Sequence, residues 1–189
     1  MVEERPRFSI DQILSNSWDR KLAYDLAIEL ETYSGEKRET VEEMRQFLAV
    51  KGYRELLQLL QESREGRTGY EALKAVAHAM RGYALLRPGL SAAAFRTPMA
   101  DSTEWREVYA QMREFMMLIL AECGLHGSVA DSAMHVLRSL VRGFVMHELM
   151  NSFLFAHSYE DSFEFGMRVL SAGLQSLASS GETGSCSTT

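Results

Sequence analysis

Histidine, cysteine and methionine are the residue types through which this sequence could do more than pack a core. The five histidines, His78, His126, His135, His147 and His157, show no pair at i and i+4 on one helix with a supporting carboxylate. His147 followed by Glu148 lacks the second histidine of a zinc-protease helix. They read as solvated or core-edge residues, and no metal or cofactor is expected. His78, Glu148 and Asn151 are too scattered to make a catalytic constellation. Neither a Gly-rich phosphate loop nor a nucleophile elbow occurs. Cys123, at the end of an apolar run, reads as a small buried residue, and Cys186 lies in a Ser/Thr/Gly tail, so a disulfide framework is not expected. Methionine carries more information. Met80, Met112, Met116, Met117, Met146 and Met150, with Tyr53, Tyr83, Phe95, Tyr109 and Phe115, could line a cavity between the second, third and fifth helices, and the adaptable thioether suits varied apolar ligands. A filled core would show the same periodicity.

Those residues must be carried by helices. Three prolines leave almost all of the chain free of helix breakers, and no period-two run marks a strand, so the fold class is all-α. The run Ala133 to Phe155 is apolar on nearly every side and needs neighbours from its own chain, a second copy, or both. Before it, a first helix is expected from Ser9 to about Tyr33, with Ile10, Ile13, Leu14, Trp18, Leu22, Leu26 and Leu30 as its stripe. A second follows Thr40, whose spacing to Glu43 is that of a capping box, and continues past Gly52. A third spans Tyr70 to Leu86 with Leu73, Val76, Ala77, Met80, Tyr83 and Ala84 inward. Arg87 precedes Pro88, which suits the first turn of a short helix ending near Phe95. Asp101 or Ser102 caps a fifth helix ending at Gly124, with Trp105, Val108, Tyr109, Met112, Phe115, Met116, Ile119 and Leu120 on one face. The central helix is expected from Ser128 to about His157, and a last one, capped by Ser158, to Leu177.

The 189 residues fit one helical body, with residues 1–40 as an atypical N-terminal helical segment, 41–178 as the main domain and 179–189 as a disordered tail. A hydrophobic fraction of 46% with 24% charged residues is that of a soluble globular chain. No window is apolar enough to cross a membrane and no secretory leader is evident, so a cytoplasmic protein without membrane contact is expected. The net charge of −6 argues against a surface dominated by nucleic-acid contacts.

Three stretches then point to a family. YEALKAVAHAMRGYALLRPGL (70–90) resembles a helix ending in an ALEHPGLY type of turn. CGLHGSVADSAMHVLRSLVRGFVMHE (123–148) is similar to the pattern A-x-H-x-L-R-S-x-x-H-G-F, with Arg142 where the pattern has histidine. Residues 158–174 resemble a closing D-x-S-F-E helix. Together they resemble TetR/AcrR-type transcriptional regulators with a WHG-type carboxy-terminal region, over residues ~42–178. The resemblance implies a bundle of about six to seven helices that binds an apolar small-molecule effector in its middle, here at Tyr53, Met80, Tyr83, Phe95, Tyr109, Met112, Phe115 and Met116. Family members open with a helix-turn-helix head; residues 1–40 carry no such run and are predominantly acidic, which leaves DNA binding open.

The apolar surplus of the last two helices suggests a four-helix bundle across a two-fold axis. Its seam would use Val136, Leu140, Gly143, Met150, Phe163, Gly166, Met167, Leu170, Gly173 and Leu174. The expected function is a non-enzymatic, homodimeric, small-molecule-responsive regulator, pairing with itself or with a related full-length regulator. The alternative is a helical carrier or enzyme acting on an apolar small molecule in the same cavity.

Overall fold

The computed structural model describes residues 17–32, 40–95, 102–152 and 158–182. Among these are seven helices and no strand: α1 Ser17–Thr32, α2 Val41–Arg64, α3 Gly69–Leu86, α4 Pro88–Phe95, α5 Thr103–Glu122, α6 Gly127–Met150 and α7 Tyr159–Glu182. None of the described helices is long and apolar enough to cross a membrane. The expected beginning of the first helix, Ser9 to Asn16 with Ile10, Ile13 and Leu14, lies outside the described residues. So do Phe153, Leu154, His157 and residues 183–189.

The caps follow the local chemistry. Thr40 Oγ1 accepts from the Glu43 amide at 3.1 Å while the Glu43 carboxylate accepts from the Thr40 amide at 3.1 Å, completing the capping box of α2. Ser102, rather than Asp101, caps α5 by accepting from the Trp105 amide. Ser158 accepts from the Asp161 amide and opens α7. Two helix ends differ from the sequence expectation. α6 stops at Met150, about two turns before His157, because Asn151 takes a left-handed conformation (φ 50°) and Ser152 donates back to the His147 carbonyl at 3.0 Å. Asparagine tolerates that conformation, so it ends the helix where glycine more often does. α7 runs on to Glu182, past the expected start of the tail. Within it Ser179 and Ser180 turn their hydroxyls onto the carbonyls of Gln175 and Ser176, so these polar groups are met inside the helix.

α3 is the hub. It touches α2, α4, α5 and α6, and its face Leu73, Val76, Ala77, Met80, Tyr83 and Ala84 is buried as the spacing requires. Trp105, Val108, Met112, Met116, Ile119 and Leu120 of α5 are buried with it, as are Met134, Leu137, Val141, Val145 and Leu149 of α6. One glycine explains the crossing of α2 and α4: a Cβ at Gly52 would stand 2.7 Å from the Leu90 carbonyl oxygen and 3.3 Å from Ala94 Cβ. The helix-propensity cost of that glycine is what lets the short α4 lie directly on α2.

α1 is the largest departure from the pattern. The apolar stripe predicts Leu22, Leu26 and Leu30 inward; instead Asp25 and Glu29 are buried, Leu22 and Leu26 are half-buried, and Leu30 is exposed. Asp25 accepts from the Gly89 amide at 2.8 Å and the Leu90 amide at 3.1 Å, capping α4, and from Arg87 Nε at 2.9 Å. Glu29 pairs with both Arg87 and Lys51. Arg87 reaches Glu55 as well, at 3.2 Å. Burial works against the Arg87 charge, but the bond to Asp25 and the fields of Asp25, Glu55 and Glu29 outweigh it and raise its pKa. A helix that presents two carboxylates to a helix N-terminus and a guanidinium gains more by burying them than by burying Leu30.

Candidate effector cavity and dimer face

The turn at Arg87–Pro88 sends α4 across the body and leaves a cavity of about 100 Å³ between α3, α4 and α6. α3 contributes Met80 and Ala84, α4 contributes Pro88, Ser91 and Ala92, and α6 contributes Arg138, Val141, Arg142, Val145, Met146 and Leu149. The wall is therefore mostly aliphatic, with two guanidinium groups one helical turn apart.

A second, much smaller cavity of about 20 Å³ adjoins it, sharing Met80 and Arg138. Five of the eight residues expected to hold an effector meet there: Tyr53, Met80, Tyr109, Met112 and Met116. They are largely packed against one another and their neighbours. Trp105 stacks on Tyr109 with ring centroids 4.9 Å apart, and Tyr53 sets its edge against both rings. Arg138 donates to the Tyr53 hydroxyl at 3.3 Å. Burial raises the Tyr53 pKa against the opposing pull of Arg138, so the phenol is neutral at physiological pH. The other three expected residues are not in this cluster. Tyr83 gives its hydroxyl to Glu55 at 3.2 Å beside the α1 ionic network, and its pKa is pushed up by burial and then by Glu55. Phe115 lies on a separate open groove with Leu57, Gln61 and Leu118. The Phe95 side chain is outside the described residues. What the sequence reading missed is the contribution of α4 and the two arginines of α6: Val141 and Met146 carried a periodic signal, but only the crossing of α4 makes them walls of one space.

The expected seam separates into two groups. Phe163, Met167 and Leu174 are buried within their own chain. The reason is visible at Phe163: it meets Phe144 and His78 edge-on at 5.5 Å and 5.1 Å and carries the Arg81 guanidinium over its ring at 5.1 Å. Gly166 backs onto Phe144 and Leu140 of the same chain. Val136, Leu140, Gly143, Met150, Leu170 and Gly173 retain exposure. The uncovered face also contains residues that the sequence reading left out. Phe165, Val169 and Leu177 are exposed by 60%, 57% and 55%, and with Gly173 they repeat at i+4 along α7, while Val129 and Val136 repeat at i+7 on α6. The i+4 repeat was legible, but it runs beside the buried stripe, and spacing alone does not say which stripe faces the body.

The histidine chemistry resolves into an ionic clasp. His78, Glu160 and Glu164 bring ligand atoms within 4.8 Å of one another, a grouping that could hold a metal ion. Lys74 binds Glu164 at 2.9 Å, however, and the buried Arg81 binds Glu148 at 2.9 Å and also pairs with Glu160. These cations already neutralise the carboxylates a metal would need, and they tie α3 to α6 and α7. The bond from Lys74 lowers the pKa of Glu164 against the opposing effect of burial, with His78 adding to the lowering.

The fold is that of an all-α, tetracycline-repressor-like bundle. The chain belongs to the family described as Tetracyclin repressor-like, C-terminal domain, which it matches over residues 73–170. It is thus a TetR-like regulator in general terms, and the family is typically dimeric. A solved structure of a protein of unknown function from Rhodococcus sp. RHA1 has the same fold, with a TM-score of 0.65 and 14% identity, covering 92% of this chain and 98% of that one. Among curated proteins none matches the chain.

Proposed function

We propose that this protein is a non-enzymatic, cytoplasmic TetR-like regulator that works as a homodimer and responds to a small effector held in the cavity between α3, α4 and α6. The observation that carries this reading is the uncovered apolar face of α6 and α7 in a body of this family. Val136 on α6 and Phe165 and Val169 on α7 are each more than half exposed, and large apolar side chains gathered on a pair of neighbouring helices mark an interaction surface. A two-fold pairing of α6 and α7 with the same helices of a second copy buries the patch as a four-helix bundle. The cavity supports the effector part of the reading, because it is mostly aliphatic, carries a few convergent polar groups and lies against the hub helix.

Native mass spectrometry of the purified chain tests both parts together. The expected species has twice the 21.4 kDa chain mass and carries a retained small molecule when isolated from cells. A monomer at micromolar concentration refutes the homodimer, and the same face is then free for a related full-length regulator. Regulation through DNA contacts of the chain itself is a separate matter. A mobility-shift assay on genomic fragments at low and at physiological salt decides it, since a reading head gives sequence-specific, salt-dependent retardation.

A further inference from the structure

We propose that the cavity between α3, α4 and α6 takes a small carboxylate whose apolar body is about the size of one ring, the carboxylate being held by Arg138 and Arg142. The proposal rests on the effector reading above and specifies its chemistry. Size comes first. The cavity holds about 100 Å³, whereas an engineered apolar cavity of about 150 Å³ takes benzene. The enclosed aliphatic part of the site is smaller than that, so it takes at most a single ring or a short chain.

Charge comes second. Arg138 and Arg142 stand one turn apart on α6 and both line the cavity, and none of the described residues that line it is acidic. Arg54, Arg64, Arg81, Arg87 and Arg113 each hold a carboxylate of the chain. Arg142 makes no ion pair or hydrogen bond with any described residue. It is exposed, so it marks the side on which the cavity reaches solvent. Arg138 is half-buried and donates to Tyr53, which holds its guanidinium where the two cavities meet. A neutral ligand in this space strips water from the arginines and returns nothing. A carboxylate returns charge-assisted hydrogen bonds, about twice as strong as neutral ones.

Calorimetric titration of the full chain with sodium benzoate and sodium hexanoate, against benzamide and benzyl alcohol as neutral counterparts, tests the assignment. Benzoate is expected to bind about tenfold or more tightly than benzamide. Arg142→Gln should bring benzoate down to the benzamide level with thermal melting unchanged, because the exposed side chain makes no ion pair or hydrogen bond with any described residue. Ala92→Phe fills the cavity and should abolish binding of every probe. Equal affinity for benzoate and benzamide, or unchanged benzoate affinity in Arg142→Gln, overturns the carboxylate assignment; neutral binding that Ala92→Phe abolishes would then leave the cavity reading standing. No binding of any probe to the wild-type chain overturns both.

Discussion

Replacing Arg87 with methionine should release α1 from the body. The side chain stands between three carboxylates, bonding Asp25 at 2.9 Å and Glu55 at 3.2 Å and pairing with Glu29. Methionine keeps much of the aliphatic stem and removes only the charge and its donors. Breaking a fully buried ion pair costs about 3–5 kcal/mol. Two features reduce that figure here. Arg87 retains 25% side-chain exposure, and the orphaned acids keep other partners, Asp25 through the Gly89 and Leu90 amides and Glu29 through Lys51. We therefore expect a loss of about 2 kcal/mol, below the lower edge of that range. The loss should appear first as local opening of α1, because α1 packs mainly on α4 and contributes few residues to the core. Two kcal/mol corresponds to roughly a thirtyfold rise in amide exchange across Ser17–Thr32, at about tenfold per 1.4 kcal/mol. Hydrogen exchange followed by mass spectrometry reads this directly, with α3 amides as the internal reference. A Glu29→Gln variant and the double variant close a thermodynamic cycle, and the double should cost less than the sum of the singles because the two residues share one interaction. Unchanged α1 exchange together with additive single and double variants would refute the latch.

Three further outcomes follow from the same contacts. Phe163→Ala removes the largest fully buried side chain together with its contacts to Phe144, His78 and Arg81, and should destabilise the protein by about 3–5 kcal/mol in urea titration; a loss below about 1 kcal/mol would mean that α7 is not docked through it. Burial pushes the Cys123 thiol up to about 11, so the thiol stays protonated at neutral pH and the native protein should resist alkylation there until denaturant is added; rapid site-resolved labelling of Cys123 in buffer would contradict its burial. Lys74 lowers the Glu164 pKa below its usual 4.5, so the unfolded chain binds this proton more readily than the folded one. The pair's contribution is therefore present above about pH 4.5 and lost as pH falls through the lower folded value. Glu164→Gln should flatten that part of the acid limb in pH-dependent melting, and an unaltered limb would show that the exposed pair contributes nothing.

Much of the body was legible because the signals were local. The Thr40–Glu43 capping box, the Arg87–Pro88 break and the clean stripe of α5 each specify a boundary or a face within one or two turns, and the structure has them where the sequence does. The candidate site was only partly legible. The residues Tyr53, Tyr109, Met112 and Met116 do converge with Met80, but in a nearly filled core, whereas the larger cavity depends on how α4 crosses α2 over Gly52. On α7 the helical repeat offered two neighbouring stripes, and it did not say that Phe163, Met167 and Leu174 face inward while Phe165, Val169 and Leu177 face out.

By itself, then, the sequence determined the helices, most of their caps and the family pattern, because hydrogen bonding within a turn and the period of apolar residues are encoded over short distances. Only the tertiary structure decided that α1 is held by Asp25 and Glu29 rather than by leucines, that His78 belongs to an ionic clasp, and that two arginines of α6 open onto an apolar space. Those outcomes turn on partners 22 to 86 residues away. A carboxylate or a guanidinium reads as a surface residue until the helix N-terminus or counter-charge that makes its burial favourable has been brought beside it.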